Sequence, residues 1–348
     1  MKKASGILAL SVLLLSVASC TREVVKSLPR STPEKENVDV QGIEAYLNAL
    51  KADSIEIHSL MVVRNGKVAY EQWFAGASPD SLHIMYSVSK SFTATAIGFA
   101  VDEGLVKLDD KVSSFFPDEL PDTVSPYLAQ LRVWDLLTMS VGQAREPART
   151  GENWIKDFFA KPITIEPGSK FYYNSMGTFM LSAIIQKVSG QTLFDYLTPR
   201  LFEPLHIENI YWEKNPQGIN TGGWGLFIKT EDMAKFGLLF LQNGVWEGKQ
   251  LLPKGWTEQA SAPQIANGAG WPGDGAEQPD TDWSQGYGYQ MWRSKHNAYR
   301  ADGAKGQFIF IIPDKNTVVA ITSNTDKTKE EIGLLWEHLF PALKDINN

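Results

Sequence analysis

Ser59-Leu-Met-Val-Val-Arg-Asn-Gly-Lys-Val-Ala-Tyr-Glu-Gln-Trp-Phe74 sets an Asn65-Gly66 pair between two apolar runs. That is the strongest short-range signature of a β-hairpin, because both turn residues tolerate a positive φ. A second hairpin is written near the other end: Gln307-Phe-Ile-Phe-Ile-Ile312, a Pro313-Asp-Lys-Asn316 turn, and Thr317-Val-Val-Ala-Ile-Thr322. Between them the chain carries helical signals. Residues 87–103 are apolar on most faces and stop at Gly104, residues 175–188 run to Gly190, and residues 193–202 stop before Pro204. Thr230 is placed to cap a helix running towards Gly244, residues 40–50 have helical apolar spacing, and residues 329–340 read as a closing helix. The expected fold is α+β. An antiparallel sheet built from both chain ends is flanked by helices, with a mostly helical subdomain over about residues 107–276. Residues 268–284, dense in Gly, Pro and Asp, read as a surface loop.

The whole chain has 348 residues, with 33 Lys and Arg against 40 Asp and Glu, a formal charge of −7. No basic surplus exists to neutralise phosphates, which argues against a nucleic-acid partner. One cysteine excludes a disulfide framework and a thiolate zinc site. The five histidines (His58, His83, His206, His296 and His338) lack metal-ligand spacing, so no metal and no other cofactor is expected.

That single cysteine has a telling position. Lys2 and Lys3 precede an apolar stretch over residues 7–17, too short to span a bilayer, and Val17-Ala-Ser-Cys20 follows. The pattern resembles the lipobox of bacterial lipoproteins. It implies a signal peptide over residues 1–19 and lipid on Cys20, hence a membrane partner and an exported, lipid-anchored place at the bacterial cell envelope. Residues 20–39 are polar, with Pro29 and Pro33, and read as a flexible tether to a domain over residues 40–345.

The sharpest chemical feature is Ser87-Val-Ser-Lys90 at the start of the buried helix. Residues three apart share a helix face, so the lysine can reach the serine hydroxyl. A serine is a poor nucleophile until a base takes its proton, and a lysine is a base only when its pKa falls from about 10.4. A lone Ser-x-x-Lys arises by chance about once in such a chain, a serine capping a core helix with lysine one turn on. Two further segments lend it weight. Pro167-Gly-Ser-Lys-Phe-Tyr-Tyr-Asn-Ser175 offers a phenol on a turn leading into a helix. Tyr299-Arg-Ala-Asp-Gly-Ala-Lys-Gly-Gln307 is a Gly-bearing entry to a strand, where a substrate backbone can approach. With no G-x-S-x-G elbow for a histidine to serve, a Ser-His-Asp triad is disfavoured. Trp224 and Trp271 are candidates for lining a hydrophobic cleft, although packing accounts for most of the 11 tryptophans.

Taken in order, these motifs resemble the serine beta-lactamase and penicillin-binding-protein superfamily, over about residues 40–343. The nearest likeness is its class C-like branch of esterases, D-amino-acid peptidases and 6-aminohexanoate-oligomer hydrolases. Ile57-His-Ser-Leu-Met-Val-Val-Arg-Asn-Gly66, Leu131-Arg-Val-Trp-Asp-Leu-Leu-Thr-Met-Ser140 and Gly223-Trp-Gly-Leu226 match in the same order. The resemblance implies Ser87 as acylated nucleophile, Lys90 and Tyr173 as its proton-handling partners, and the backbone N–H groups of Ser87 and Ala304 as oxyanion hole. Which of Lys90 and Tyr173 takes the serine proton stays open. It also implies substrate contacts at Ser175, Asp302 and Gly303, with Trp224 beside them.

Two departures stand out. Ser175 occupies the place of an Asn, and a literal Tyr-x-Asn sits one residue earlier at Tyr172 and Asn174; the spacing from Pro167-Gly168 favours Tyr173. Ala301 stands where a Lys or His holds a substrate carboxylate, with Asp302 beside it, unless Arg300 or Lys305 compensates. The expectation is a serine hydrolase acting on a neutral ester, amide or peptide-like small molecule. The alternatives are a beta-lactamase or D-Ala-D-Ala carboxypeptidase or D-aminopeptidase in cell-wall turnover, and a catalytically silent binder of wall fragments.

Overall fold

The computed structural model describes residues 27–149, 151–267 and 281–345. In chain order its strands are β1 (Ile57–Arg64), β2 (Lys67–Trp73), β3 (His83–Ile84), β4 (Tyr211–Trp212), β5 (Leu226–Ile228) and β6 (Val245–Trp246). They continue with β7 (Lys249–Gln250), β8 (Trp292–Arg293), β9 (Tyr299–Gly303), β10 (Gln307–Ile312) and β11 (Thr317–Ser323). The main sheet has the order β2-β1-β11-β10-β9-β8, antiparallel throughout, so both chain ends build it. Asn65 and Gly66 make the first hairpin turn at φ of 52° and 77°.

Strand periodicity sorts side chains onto two buried faces. Met61, Val63, Ile309, Ile311, Val318 and Ala320 join the core shared with the Ser89–Asp102, Ser175–Ser189 and Thr230–Leu241 helices. Leu60, Val62, Phe308, Phe310, Val319 and Ile321 face the Val40–Ala52 helix and the C-terminal helical segment with Ile332, Leu335 and Leu339. With both faces covered, the strands read as nearly continuous apolar runs rather than as alternating ones.

Three expectations are corrected. The tether does not stay flexible to residue 39. Leu28 is buried, its N–H donates to Glu231 Oε1 at 2.5 Å, and Arg30 bridges Glu71 and Glu231 at 2.9 and 2.8 Å. Backbone bonds between Pro29, Ser31 and Val68 lay this segment beside β2. A buried leucine and a paired arginine outweigh the polar composition on which the tether reading rests. Second, Thr230 is the first helical residue rather than the cap: Lys229 is the N-cap, Asp232 accepts its N–H at 3.2 Å, and Thr230 Oγ1 bonds Ser59 Oγ at 2.6 Å. Third, the Thr230–Leu241 helix is not part of a separate helical body. It lies on the sheet, where Gly237 allows close approach to Val318 and Ile309. Among the described residues no helix is long and apolar enough to cross a membrane. Residues 1–19, Cys20, Trp271 and most of the 268–284 loop lie outside the described residues.

Candidate active site

The site begins at a strained backbone. Tyr86 has φ of 42°, rare for a bulky residue, and opens a 3₁₀ turn over Tyr86–Val88 that passes into the Ser89–Asp102 helix. The turn is pinned from two sides. Met85 N–H donates to the Leu226 carbonyl at 2.8 Å, while Ser89 Oγ donates to the Tyr86 carbonyl at 2.6 Å and accepts from Leu226 N–H at 3.2 Å. From the sheet, Gly303 packs so closely that a Cβ there would fall 2.4 Å from the Met85 carbonyl oxygen and 3.2 Å from Val88 N. The end of β9, with Ala304 exposed just beyond it, therefore abuts the backbone that carries Ser87.

Lys90 is buried inside this frame. Its Nζ lies 3.0 Å from Ser87 Oγ, donates to the Gly223 carbonyl at 2.6 Å, and sits 4.9 Å from the centre of the Tyr173 ring. The carbonyl reaches Lys90 because Gly222-Gly223 lies between two helices. A Cβ on Gly222 would meet Ser182 Cβ at 2.8 Å, and one on Gly223 the Ser175 carbonyl at 2.8 Å. Burial drives the Lys90 ammonium down to about 7. Arg149 adds to that, while Glu146 and Asp302 oppose it.

Tyr173 hydrogen-bonds Ser87, and burial pushes its phenol far above the ordinary value, so it remains protonated. The segment before it is locked by Met139, a φ 58° residue whose carbonyl accepts Tyr172 N–H at 2.7 Å and whose sulfur lies 3.1 Å from Asn174 N. Asn174 caps the Ser175–Ser189 helix through Gly177 N–H at 2.9 Å and is buried. The Asn of the literal Tyr-x-Asn is thus occupied in building the helix, and Tyr173 is the ring over Lys90.

The other sequence-derived candidates lie around this centre. Ser175 is the first residue of its helix, with its carbonyl against Gly223. Trp224 lies between Trp154, tilted by 33° at 5.8 Å, and the Arg149 guanidinium over its ring at 4.5 Å. Asp302 receives Arg300 Nε at 2.9 Å, with Nη2 at 2.8 Å. Neither cation expected to compensate for Ala301 is free: Arg300 is fully buried on Asp302, Ser294 and the Asp282 carbonyl, and Lys305 pairs with Asp326 at 2.5 Å. His83 stacks on His58 at 5.8 Å, in β3.

Sequence reasoning missed three features. Glu146 and Arg149 bring charge to the site from the 143–149 loop, Glu146 also accepting Met176 N–H at 3.1 Å. Trp292 stacks on Tyr173 at 5.7 Å and 21°, backed by Phe171 and Tyr287. The aromatic run Tyr287-Gly-Tyr-Gln-Met-Trp292 was the available signal. The Gly223 carbonyl had none, because backbone acceptors leave no mark in composition. Among the described residues no group of three His, Cys, Asp or Glu is placed to hold a metal ion.

Comparison with known proteins shows the family. Residues 47–343 match the Beta-lactamase family. The 6-aminohexanoate-dimer hydrolase of Paenarthrobacter ureafaciens is 26% identical over 224 residues, covering 59% of this chain and 57% of that protein. The chain spans a little over half the length of that relative, and about a third to three fifths of the other curated ones. In fold it resembles the octameric penicillin-binding protein homologue of Pyrococcus abyssi, with a TM-score of 0.67 and 22% identity over 86% of this chain and 77% of that one. It also resembles EstCE1, a hydrolase with promiscuous acyltransferase activity, with a TM-score of 0.70 and 16% identity over 86% of this chain and 98% of that one.

Proposed function

Because the chain belongs to the beta-lactamase family of serine hydrolases, we propose that it cleaves an ester or amide through an acyl-enzyme on Ser87. The observation that carries this is the buried Lys90 amine, 3.0 Å from Ser87 Oγ and lowered to about 7. A neutral amine keeps an N–H for the Gly223 carbonyl and turns its lone pair to the serine proton. Lys90 takes that proton as Oγ bonds the substrate carbonyl carbon. The carbonyl π pair moves onto oxygen, where the N–H groups of Ser87 and Ala304 stabilise it. Tyr173, held protonated, donates to the leaving group as the old bond breaks and regains a proton from Lys90. Water then attacks the acyl-enzyme by the reverse proton path, restoring Ser87.

The substrate reading is a neutral ester, amide or peptide-like small molecule. It is supported by Ala301 at the carboxylate-anchoring position and by the pairing of Arg300 and Lys305 elsewhere. One observation favours a second reading. Arg149, on the face of Trp224, has no ion pair among the described residues and suits a substrate carboxylate, as in a beta-lactam or a D-Ala-D-Ala peptide. Export and lipid attachment at Cys20 complete the proposal; Cys20→Ala is expected to move the protein out of the membrane fraction.

The deciding experiment is intact-mass spectrometry with peptide mapping after exposure to a fluorophosphonate, a p-nitrophenyl ester and a penicillin. An adduct on Ser87, with turnover of the neutral ester, is the expected result. A stable penicilloyl adduct or penicillin turnover would favour the second reading. A folded protein that takes no adduct would instead be a binder.

A further inference from the structure

The turn that follows β9 is braced from below by a group the proposed mechanism does not use. Ala304, Lys305 and Gly306 connect β9 to β10, with Lys305 and Gly306 in the left-handed region at φ of 63° and 83°. The Gln307 side chain holds the inner edge, donating to the Ser323 carbonyl at 2.6 Å and to the Lys305 carbonyl at 3.2 Å. Thr325 N–H reaches that Lys305 carbonyl from the far side at 3.2 Å. Beneath lies Glu331, fully buried in the Thr328–Leu334 helix. Its Oε1 accepts from Ser323 Oγ at 2.5 Å, and its Oε2 has no hydrogen-bond partner among the described residues. A Cβ on Gly306 would fall 2.3 Å from that Oε2 and 2.7 Å from Ser323 Cβ, so the turn rests directly on the carboxyl.

A half-satisfied buried carboxyl is an expensive way to fill space, because an apolar side chain of that size would leave no polar atom unpaired. Its position supplies a reason. We propose that Glu331 is a positioning residue, whose carboxyl, with Ser323, supports Gly306 and so sets the height of the Ala304 N–H in the oxyanion hole. The inference rests on the Ser87 acyl-enzyme reading. Oxyanion donors act only over a few tenths of an ångström, so a turn that sags loses rate without losing substrate affinity.

The brace works while the carboxyl is neutral. Burial raises Glu331 to about 8, against the Ser323 bond and with a further push from Asp302. Among the described residues, the groups that face it offer no compensating cation. Tyr46, from the Val40–Ala52 helix, is itself buried with a hydroxyl that has no hydrogen-bond partner among the described residues; Asp302, from β9, is engaged by Arg300; the Lys305 ammonium is paired with Asp326. A carboxylate formed there would draw towards N–H groups of the turn and displace it.

The test is steady-state hydrolysis of a p-nitrophenyl ester by wild type, Glu331→Gln, Glu331→Ala and Ser87→Ala, from about pH 6 to about pH 9.5. Glu331→Ala is expected to lower kcat about tenfold with KM within about twofold. Glu331→Gln, neutral and of the same size, should keep the neutral-pH kcat and lack the decline expected of wild type above about 8. A folded Glu331→Ala with wild-type kcat, or an alkaline decline that persists in Glu331→Gln, overturns the brace. Should the alanine variant fail to fold, the glutamine profile decides alone. Residual turnover in Ser87→Ala would instead overturn the acyl-enzyme reading on which the brace depends.

Discussion

The Lys90 amine is bonded to the Gly223 carbonyl at 2.6 Å, a link between the helix of the Ser-x-x-Lys motif and a glycine pair 133 residues away in sequence. It explains how a lysine can be buried without a carboxylate directly on it among the described residues. The carbonyl satisfies one N–H in either protonation state, whereas a contacting carboxylate would have pinned the proton. Glu146 and Asp302 favour the cation only from a distance, and burial prevails over them.

The pH dependence follows. The reactive form of Lys90 is neutral, so kcat/KM for a neutral ester should rise tenfold per pH unit below about 7 and level off above it, until ionisation of Glu331 above about 8 brings the decline expected from the brace. The same shift has a stability consequence that runs in the same direction with pH. Lys90 titrates lower in the fold than in the unfolded chain, so its charging opposes folding increasingly as pH falls from about 10.5 to about 7. Lys90→Met should therefore raise Tm at pH 6, with the gain fading towards pH 10. Calorimetry at both pH values checks it, and an unchanged Tm at pH 6 would mean that the amine is not buried as a base.

Removing the reacting groups separates chemistry from packing. Ser87→Ala deletes one oxygen on a half-buried turn and should cost at least about 10³ in kcat/KM with the melting temperature unchanged. Lys90→Ala should lose about 10²–10⁴, in line with the loss of a general base. Rates near wild type in Lys90→Ala would assign proton acceptance to Tyr173, despite the burial that keeps its phenol protonated.

Much of this architecture is legible in the sequence. Asn65-Gly66 and the Gln307–Ile312 run set the sheet, and the Ser-x-x-Lys, Pro-Gly and Gly-bearing motifs identified the segments that meet at Ser87. What stayed hidden depended on partners distant in sequence. Pro29 to Arg30 looks like linker because the Glu71 and Glu231 that hold Arg30 lie 41 and 201 residues on. Arg300 looks available to substrate because nothing local shows that Asp302, Ser294 and the Asp282 carbonyl enclose it. Charge can be read from sequence, but whether that charge is already bonded is a tertiary property.

Gly303 gives a steric test of how β9 meets the Ser87 turn. Its φ is ordinary, so an alanine brings no backbone strain, only a methyl 2.4 Å from the Met85 carbonyl oxygen. That neighbour is backbone, in a turn already bearing the Tyr86 φ of 42°, and cannot yield cheaply. Gly303→Ala should destabilise by about 1–3 kcal/mol and depress kcat more than KM, because relief requires β9 and Ser87 to move apart. Denaturant unfolding with steady-state kinetics reads both, and wild-type kcat with a normal midpoint would show that the two segments are not in contact.

Substrate charge tests the balance between Asp302 and Arg149. Arg300 neutralises Asp302 from within the protein and offers nothing outward, leaving Arg149 as the site-facing cation with no ion pair among the described residues. Arg149 is exposed, so solvent and salt weaken its pull on a carboxylate. Wild type should therefore favour p-nitrophenyl butyrate over the p-nitrophenyl hemiester of succinate by about tenfold in kcat/KM. Arg149→Ala should widen that preference about threefold further, chiefly through KM of the anionic ester. It should also move the acidic limb for both esters upward, because Arg149 is one of the groups holding Lys90 down. A wild type that prefers the hemisuccinate, with the preference lost in Arg149→Ala, would make Arg149 the carboxylate anchor and move the assignment to carboxylate-bearing substrates.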